Sequence, residues 1–266
     1  MHPPDVQYLS QPLAEILGLA GRELISLVGA GGKTGLMTAL AAELGSAGQR
    51  VLVTTTTRIL RPRGQVILEP DPEALGRRLL DRPSPGEIIT LAKAEEASEF
   101  GTKLVGLEPA VVDRLFLAGA AEYLLVEADG ARRLPLKAPR RGEPPIPRET
   151  TLVVGVMGLT GLDRPLDQET VCGLAEFQEL SGGRSGEKIT PRMAALVAAH
   201  PRGLFKNFPP GAVRLLFLNQ AEAPGARLGG VALIKALATL PGRPLAGARV
   251  VLGSLRTGVM EIFDLE

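Results

Sequence analysis

Leu24-Ile25-Ser26-Leu27-Val28-Gly29-Ala30-Gly31-Gly32-Lys33-Thr34 is the stretch on which the reading of the fold turns. A short apolar run enters a glycine-rich turn, then Lys-Thr. A helical pattern follows from Gly35, with Leu36, Met37, Leu40 and Leu44 on one face. Strand, turn and helix in this order are the layout of a phosphate-binding loop. Small residues from Gly29 through Ala30, Gly31 and Gly32 to Gly35 let backbone N–H groups converge on an anion at a helix N-terminus, where the helix dipole adds to the attraction. In such a loop Lys33 reaches the outer phosphates and the Thr34 hydroxyl ligates Mg²⁺. The match is to a short form, G-x-x-G-K-T, because the longer G-x-x-x-x-G-K-[ST] needs glycine where Leu27 stands. A tight turn with a solvated lysine is the plain alternative, and the strand–turn–helix context favours phosphate.

Working outward, Pro12–Leu19 predicts a short helix and Val51–Thr55 a second strand. That strand ends in Thr54-Thr55-Thr56-Thr57-Arg58. β-branched residues suit an edge strand, and a row of hydroxyls, Thr56 among them, suits a ligand or Mg²⁺-bound water. From Leu60 to Gly86 the chain is broken by Pro62, Pro70, Pro72, Pro83 and Pro85. Between these lie a strand over Gln65–Leu68 and a helix over Glu73–Leu80. Glu87–Leu91 predicts a strand, Pro109–Leu117 a helix and Tyr123–Val126 a buried strand that ends at Glu127-Ala128-Asp129-Gly130. Side chains alternate along a strand, so Glu127 and Asp129 are able to serve one site. Later strands are expected at Thr151–Met157, Val213–Leu218, Arg249–Leu252 and, at an edge, Glu261–Asp264. Helices are expected at Asp167–Leu180, from an N-cap at Thr190 to Ala199, and within Gly230–Leu240. Strands alternating with helices predict an α/β fold with a mostly parallel central sheet and helices on both faces. Ligands then bind beyond the strand C-termini. The expectation is one P-loop NTPase-like domain over residues 1–266, with insertions at about 60–120 and 132–150.

Composition removes several classes. A net charge of +1 argues against non-specific nucleic-acid binding, and 7 Phe, 2 Tyr and no Trp are poor material for base-stacking platforms. The single cysteine, Cys172, forms no internal disulfide and reads as a buried thiol on the Asp167–Leu180 helix. With only His2 and His200, no zinc-type ligand spacing exists. The first residues lack a basic segment followed by an apolar one, and no apolar run approaches the roughly 20 residues that span a bilayer. A cytoplasmic protein without membrane or nucleic-acid partners is expected.

The companions of the loop narrow the chemistry. Nucleoside triphosphatases place an acid at the end of a second buried strand, on Mg²⁺ or its water. Glu127 supplies one, Asp129 is a second candidate, and the Gly130 N–H is placed to reach a terminal phosphate. Asn219-Gln220-Ala221-Glu222 resembles the Asn-Lys-x-Asp loop that reads guanine in GTP-binding proteins, with Gln220 for Lys and Glu222 for Asp. Gly253-Ser254-Leu255 resembles their last loop. Arg132 to Arg148 is proline-rich and basic, with Arg132, Arg133 and Lys137 the residues expected to face an anion. The rival is a dinucleotide turn, since Gly29-Ala30-Gly31 begins G-x-G-x-x-G. Its sixth position is Thr34, however, and the second strand ends without the acid that binds an NAD ribose; Arg58 leaves NADP open.

Ile25–Leu36, Val51–Ile59 and the segment Val126-Glu-Ala-Asp-Gly-Ala-Arg-Arg-Leu-Pro-Leu-Lys-Ala-Pro139 resemble the YqeC family of selenium-cofactor or selenium-dependent hydroxylase accessory proteins. Gly158–Asp163, Lys188–Pro191 and His200–Gly211 extend the resemblance over about Leu13 to Leu255. Family members often carry Asp where this chain has Glu222. The resemblance implies a P-loop-like fold and a role in maturing a molybdenum- or selenium-containing hydroxylase, without fixing a reaction. The expected activity is therefore Mg²⁺-dependent binding, and slow hydrolysis, of ATP or GTP. Lys33, Glu127 and Asp129 would be the catalytic residues, and Thr34, Glu127 and Asp129 would hold the metal. The nucleotide would lie along Gly29–Gly35, Thr56, Gly130, Asn219 and Glu222. The partners would be the hydroxylase or its cofactor-maturation proteins. Two other readings stay open: an ATP-dependent ligase or transferase with a Mur-like phosphate loop, and a non-catalytic, nucleotide-gated docking module.

Overall fold

β1 (Glu23–Gly29) is buried along nearly its whole length, because it runs through the middle of a nine-stranded sheet. A strand covered on both faces needs apolar side chains on both. The computed structural model describes residues 11–79 and 84–265. His2, Pro83 and the last residue of the expected Glu73–Leu80 helix lie outside the described residues. In chain order the other elements begin with α1 (Leu13–Ile16), α2 (Lys33–Ser46), β2 (Val51–Thr55), β3 (Arg58–Leu60), β4 (Gln65–Leu68) and α3 (Pro72–Arg78). Next come β5 (Ile88–Ala92), β6 (Ala94–Ser98), β7 (Gly101–Val105), α4 (Pro109–Leu117), β8 (Tyr123–Glu127), β9 (Leu136–Lys137) and β10 (Leu152–Gly158). The chain ends with β11 (Val171–Cys172), α5 (Leu174–Ser181), α6 (Pro191–Ala199), β12 (Val213–Asn219), α7 (Ala226–Ala238), β13 (Arg249–Gly253) and β14 (Met260–Asp264).

The order across the main sheet is β14-β13-β12-β10-β1-β8-β2-β5-β4. Every pairing in it is parallel except β13 with β14. The chain fills one side of β1 first, with β2, β4, β5 and β8, and then crosses to β10, β12 and β13 on the other. The connections therefore part at the C-terminal end of β1. In an open α/β sheet such a switch point is where a ligand crevice forms.

Two apolar cores flank the sheet. Ile16 of α1 and Leu36, Leu40 and Leu44 of α2 pack with Ile25, Leu27, Leu125, Val154 and Phe217. Leu24, Val28, Leu124, Val126 and Val153 face the opposite way, with Val112 and Leu115 of α4, Val197 of α6 and Leu233 and Leu237 of α7. The strand alternation that puts Leu125 on the α2 side puts Glu127 there too. The fold is thus α/β, with a large, mostly parallel sheet between two layers of helices.

Within the 60–120 stretch, β4 and β5 extend the main sheet, while β3, β7 and β6 form a separate antiparallel sheet. β6 is exposed on both faces, so it carries no hydrophobic alternation by which to be read. The expected helix Asp167–Leu180 requires correction. Asp167 instead closes a turn by accepting from the N–H groups of Glu169 (3.0 Å) and Thr170 (2.9 Å). Val171–Cys172 then pairs with Leu136–Lys137 as a strand. Gly173, left-handed at φ 79°, precedes α5. Cys172 is buried, on a strand and not on a helix.

The turn after β1 is packed hard against the rest of the fold. A Cβ on Gly31 (φ +86°) would lie 2.2 Å from Gly158 N and 2.8 Å from Pro135 O, both backbone atoms. Gly48 has a similar φ of +79° with nothing within 4 Å. Gly48→Ala should therefore cost only the left-handed strain, ~1 kcal/mol, and Gly31→Ala at least ~2 kcal/mol more, because backbone must move. Urea unfolding of the two variants checks this; equal losses would mean that the loop has room.

Candidate functional site

The loop between β1 and α2 runs through three glycines with positive φ: Gly29, Gly31 and Gly32 at 92°, 86° and 133°. Ala30 N–H donates to Val156 O (2.9 Å) and Gly29 N–H to Asp129 Oδ2 (3.1 Å). Helical bonding begins only with Leu36 N–H to Gly32 O (2.9 Å). Among the described residues, the five N–H groups from Gly31 to Gly35 have no protein acceptor. Consecutive free donors at the start of a 14-residue helix are the makings of an anion site.

β8 delivers the acids. Glu127 pairs in register with Leu27 of β1 and Thr55 of β2. Its Oε2 accepts from the Thr34 hydroxyl at 2.7 Å. Lys33 is only 3% exposed. Its Nζ donates to Gly29 O and lies 3.0 Å from Asp129 Oδ1 and 3.8 Å from Glu127 Oε1. Asp129 Oδ1 is buried and has no hydrogen bond besides this ion-pair contact. Burial alone would lower the Lys33 pKa, but the Asp129 and Glu127 carboxylates outweigh it and hold the ammonium above its usual value. For Glu127 the balance goes the other way. Burial pushes its carboxyl up despite the Lys33 charge and the Thr34 hydrogen bond.

The three residues expected to face an anion part company. Lys137 is 2% exposed. It donates to Gly130 O (2.6 Å) and pairs with Asp129 Oδ2 (3.3 Å) and Glu143 Oε2 (2.9 Å). Burial would raise the Glu143 carboxyl, yet Lys137 and the Arg140 N–H bring it below its ordinary value. Arg132 and Arg133 are exposed, both on left-handed backbone at φ 51° and 63°. That conformation is uncommon outside glycine and fixes the direction in which the two side chains leave the turn. Neither the burial of Lys137 nor its pairing with Asp129 and Glu143 was visible in a segment that reads as basic, with Glu143 its one acid.

The threonine run serves mostly the backbone. Thr54 Oγ1 donates to Leu91 O (2.9 Å), Thr55 Oγ1 to Glu127 O (2.7 Å) and Thr56 Oγ1 to Pro145 O (2.8 Å). Thr56 thus ties the end of β2 to the proline-rich segment. Asn219, at the end of β12, is 6% exposed. Its Nδ2 donates to Gly31 O (2.8 Å) and its Oδ1 accepts from Leu255 N–H (3.2 Å), joining the glycine loop to the loop after β13. Glu222 lies farther out, accepting from Arg256 Nε at 3.1 Å. The Ser254 hydroxyl and Arg256 hold its carboxyl below the usual range. Gln220, which was read only as a stand-in for lysine, sits at φ 70° and accepts from the Thr160 hydroxyl. The structure thus gathers Gly29–Gly35, Glu127, Asp129, Gly130 and Asn219 at the C-terminal end of β1. Thr56, Glu222, Arg132 and Arg133 stand around that cluster.

With this geometry in hand, likeness to known proteins is informative. The model of the YqeC protein family matches residues 25–175. The chain is also 34% identical over 214 residues to YqeC of Escherichia coli (strain K12), an uncharacterized protein, covering 79% of this chain and 81% of that one. The chain belongs to the YqeC family. No solved structure matches it. In this YqeC-family chain the matched region contains the glycine loop, both acids and the basic segment. Asn219 and Glu222 lie beyond residue 175. No helix of the described residues is long and apolar enough to cross a membrane.

Oxygen donors are the relevant metal chemistry here. Among the described residues no group of three or more His, Cys, Asp or Glu side chains is placed to hold a metal by itself. Mg²⁺ differs from most protein-bound metals in needing only one or two carboxylates, with phosphates and water completing its shell. Thr34, Glu127 and Asp129, whose Oδ1 has only the Lys33 ion pair, fit that description.

The raised Glu127 pKa makes a signed prediction. A folded-state pKa above the unfolded one means that the native state holds the proton more tightly, so stability falls as pH rises through that interval. Glu127→Gln removes this loss. The variant should approach the parent in stability at acid pH and gain on it as pH rises to 7. Denaturant unfolding at several pH values checks it; a variant less stable at pH 7 than at pH 4, relative to the parent, would contradict the burial argument.

Proposed function

We propose that this chain is a P-loop NTPase-like protein that binds a nucleoside triphosphate with Mg²⁺ and hydrolyses it slowly. The observation that carries this reading is the row of five N–H groups from Gly31 to Gly35, without a protein acceptor among the described residues, which includes that of the buried Lys33 and stands opposite Glu127 and Asp129. A triphosphate supplies the acceptors that these donors lack. Lys33 would exchange its contact with Asp129 for the outer phosphates. Asp129 keeps Lys137 and the Gly29 N–H, so it need not be left as an unpaired buried charge. Thr34 and Glu127 would hold Mg²⁺ and Asp129 its waters, the metal supplying neutralisation of the phosphate charge. Gly130, whose N–H has no protein acceptor among the described residues, would face the terminal phosphate. Asn219 positions the loop from behind through Gly31 O.

Slow turnover follows from the same geometry. Both acids are engaged by Lys33, Lys137 or Thr34, which leaves no spare carboxylate to activate water. A partner protein would complete the site. From the YqeC resemblance we take that partner to be a selenium- or molybdenum-dependent hydroxylase, or a protein that matures its cofactor. Nucleotide turnover would then time the insertion.

A binding panel of ATP, GTP, CTP, NADPH and molybdenum cofactor, with and without Mg²⁺, tests the site. One triphosphate should bind in a Mg²⁺-dependent way, and Lys33→Ala should weaken it about a hundredfold, the loss of one or two charge-assisted hydrogen bonds. Undiminished binding by Lys33→Ala, or NADPH as the preferred ligand, would sink the assignment.

A further inference from the structure

Behind the Asp129–Gly130 turn, on the side away from α2, lies a second cavity of about 360 Å³. Its walls include Arg132, Arg140, Cys172 and the first turn of α5, Leu174, Ala175 and Glu176. Two guanidiniums thus share the cavity with one carboxylate. Among the described residues neither Arg132 nor Arg140 donates a side-chain hydrogen bond or has a carboxylate within ion-pair distance. Arg140 acts on Glu143 only at longer range, and Glu143 is already taken by Lys137 at 2.9 Å. The first helical bond of α5 runs from Phe177 N–H to Gly173 O at 2.9 Å. The N–H groups of Leu174, Ala175 and Glu176 therefore have no protein acceptor among the described residues. All three belong to residues that line the cavity. Two exposed guanidiniums without an ion-pair partner and three N–H groups without acceptors border one half-open cavity, and a multivalent oxyanion would satisfy both.

We propose that this cavity binds the phosphate group of a small molecule, as a second ligand site beside the nucleotide loop. It rests on its own lining and not on the nucleotide reading. The volume is that of a small-metabolite pocket, and Val171 and Leu174 give it an apolar wall against which an organic portion can pack. The wall shared with the nucleotide loop is thin. Cys172 Sγ lies 3.9 Å from Gly130 O, which accepts from Lys137, and Lys137 contacts Asp129, the partner of Lys33. Arg132 leaves the same turn, held in its left-handed conformation. A phosphate bound here sits one turn of chain away from Lys33.

Calorimetric titration of the full chain with inorganic phosphate, and in parallel with phenyl phosphate, tests the proposal. Each is run with the glycine loop free and with it saturated by Mg²⁺ and a non-hydrolysable ATP analogue. Both probes should bind in either state, phenyl phosphate more tightly because of the apolar wall. The double variant Arg132→Gln/Arg140→Gln should lose about tenfold or more in affinity, the loss expected for a charge-assisted contact. Glu176→Gln, which removes the one acid, should bind phosphate more tightly; this gain cannot come from misfolding. Binding abolished by Lys33→Ala and untouched in the double variant would place the phosphate in the glycine loop and overturn the proposal. So would failure of both probes to bind, or binding of inorganic phosphate alone. Failure of the ATP analogue to bind, with phosphate binding still sensitive to the two arginines, would strike the nucleotide reading and leave the cavity standing.

Discussion

A lysine ammonium that is almost fully buried is the constraint around which this fold is arranged. Lys33 stands at the first position of α2, at the positive end of the helix dipole, where a cation is least welcome. It is tolerable only because Asp129 lies 3.0 Å away, with Glu127 close behind. Removing Asp129 would leave the ammonium without its close partner, typically a loss of about 3–5 kcal/mol for a broken buried pair. Apolar packing does not require this cluster, and well-packed apolar residues in place of a buried ion pair are often as stable or more so. A cation, two acids and N–H groups without acceptors among the described residues are held together at one strand–helix junction, which is the basis of the ligand site proposed above.

The rest of the molecule keeps that junction in place. β1 lies between β8 and β10, so the glycine loop is set by the register of its two neighbours: Leu27 against Glu127, Gly29 against Val156. Gly31 is closed in by Gly158 and Pro135, and Asn219 bonds its carbonyl from the end of β12, two strands away from β1. The second cation, Lys137, joins Asp129 to Glu143 and so connects the surroundings of the glycine loop with the proline-rich segment. Thr56 ties that segment to β2 through Pro145. The basic stretch is therefore split, with Lys137 inside the network and Arg132 and Arg140 turned toward the second cavity.

Much of this was legible before any coordinates. The alternation of apolar runs with helical periodicity indicated the parallel sheet, and nearly every central strand lies where its apolar run does. Gly29–Thr34 read as a glycine turn between a strand and a helix, and the acids ending Tyr123–Val126 do lie beside it. Errors arose where local signals were shared between states. Asp167–Leu180 looked helical because its apolar spacing suits a helix, yet Asp167 prefers to cap a turn and Gly173 is free to go left-handed before α5. β6 escaped notice because a strand wet on both faces has no period of two, and β7 because only Leu104 of its five residues is buried. The hydroxyls of the threonine run were assigned equally to ligand and structure, and three of them bond carbonyls.

The sequence by itself determined the class of fold, the glycine loop and the identity of the groups that surround it, because those depend on local chemistry and on strand periodicity. Only the tertiary structure decided which charges meet. Lys33 and Asp129 are 96 positions apart and Asn219 and Gly31 188 apart, and no local pattern encodes such distances. Burial likewise belongs to the assembled sheet. It turned Lys137 from a loop cation into a buried link and raised the carboxyl of Glu127. It also left five N–H groups at the head of α2 without an acceptor.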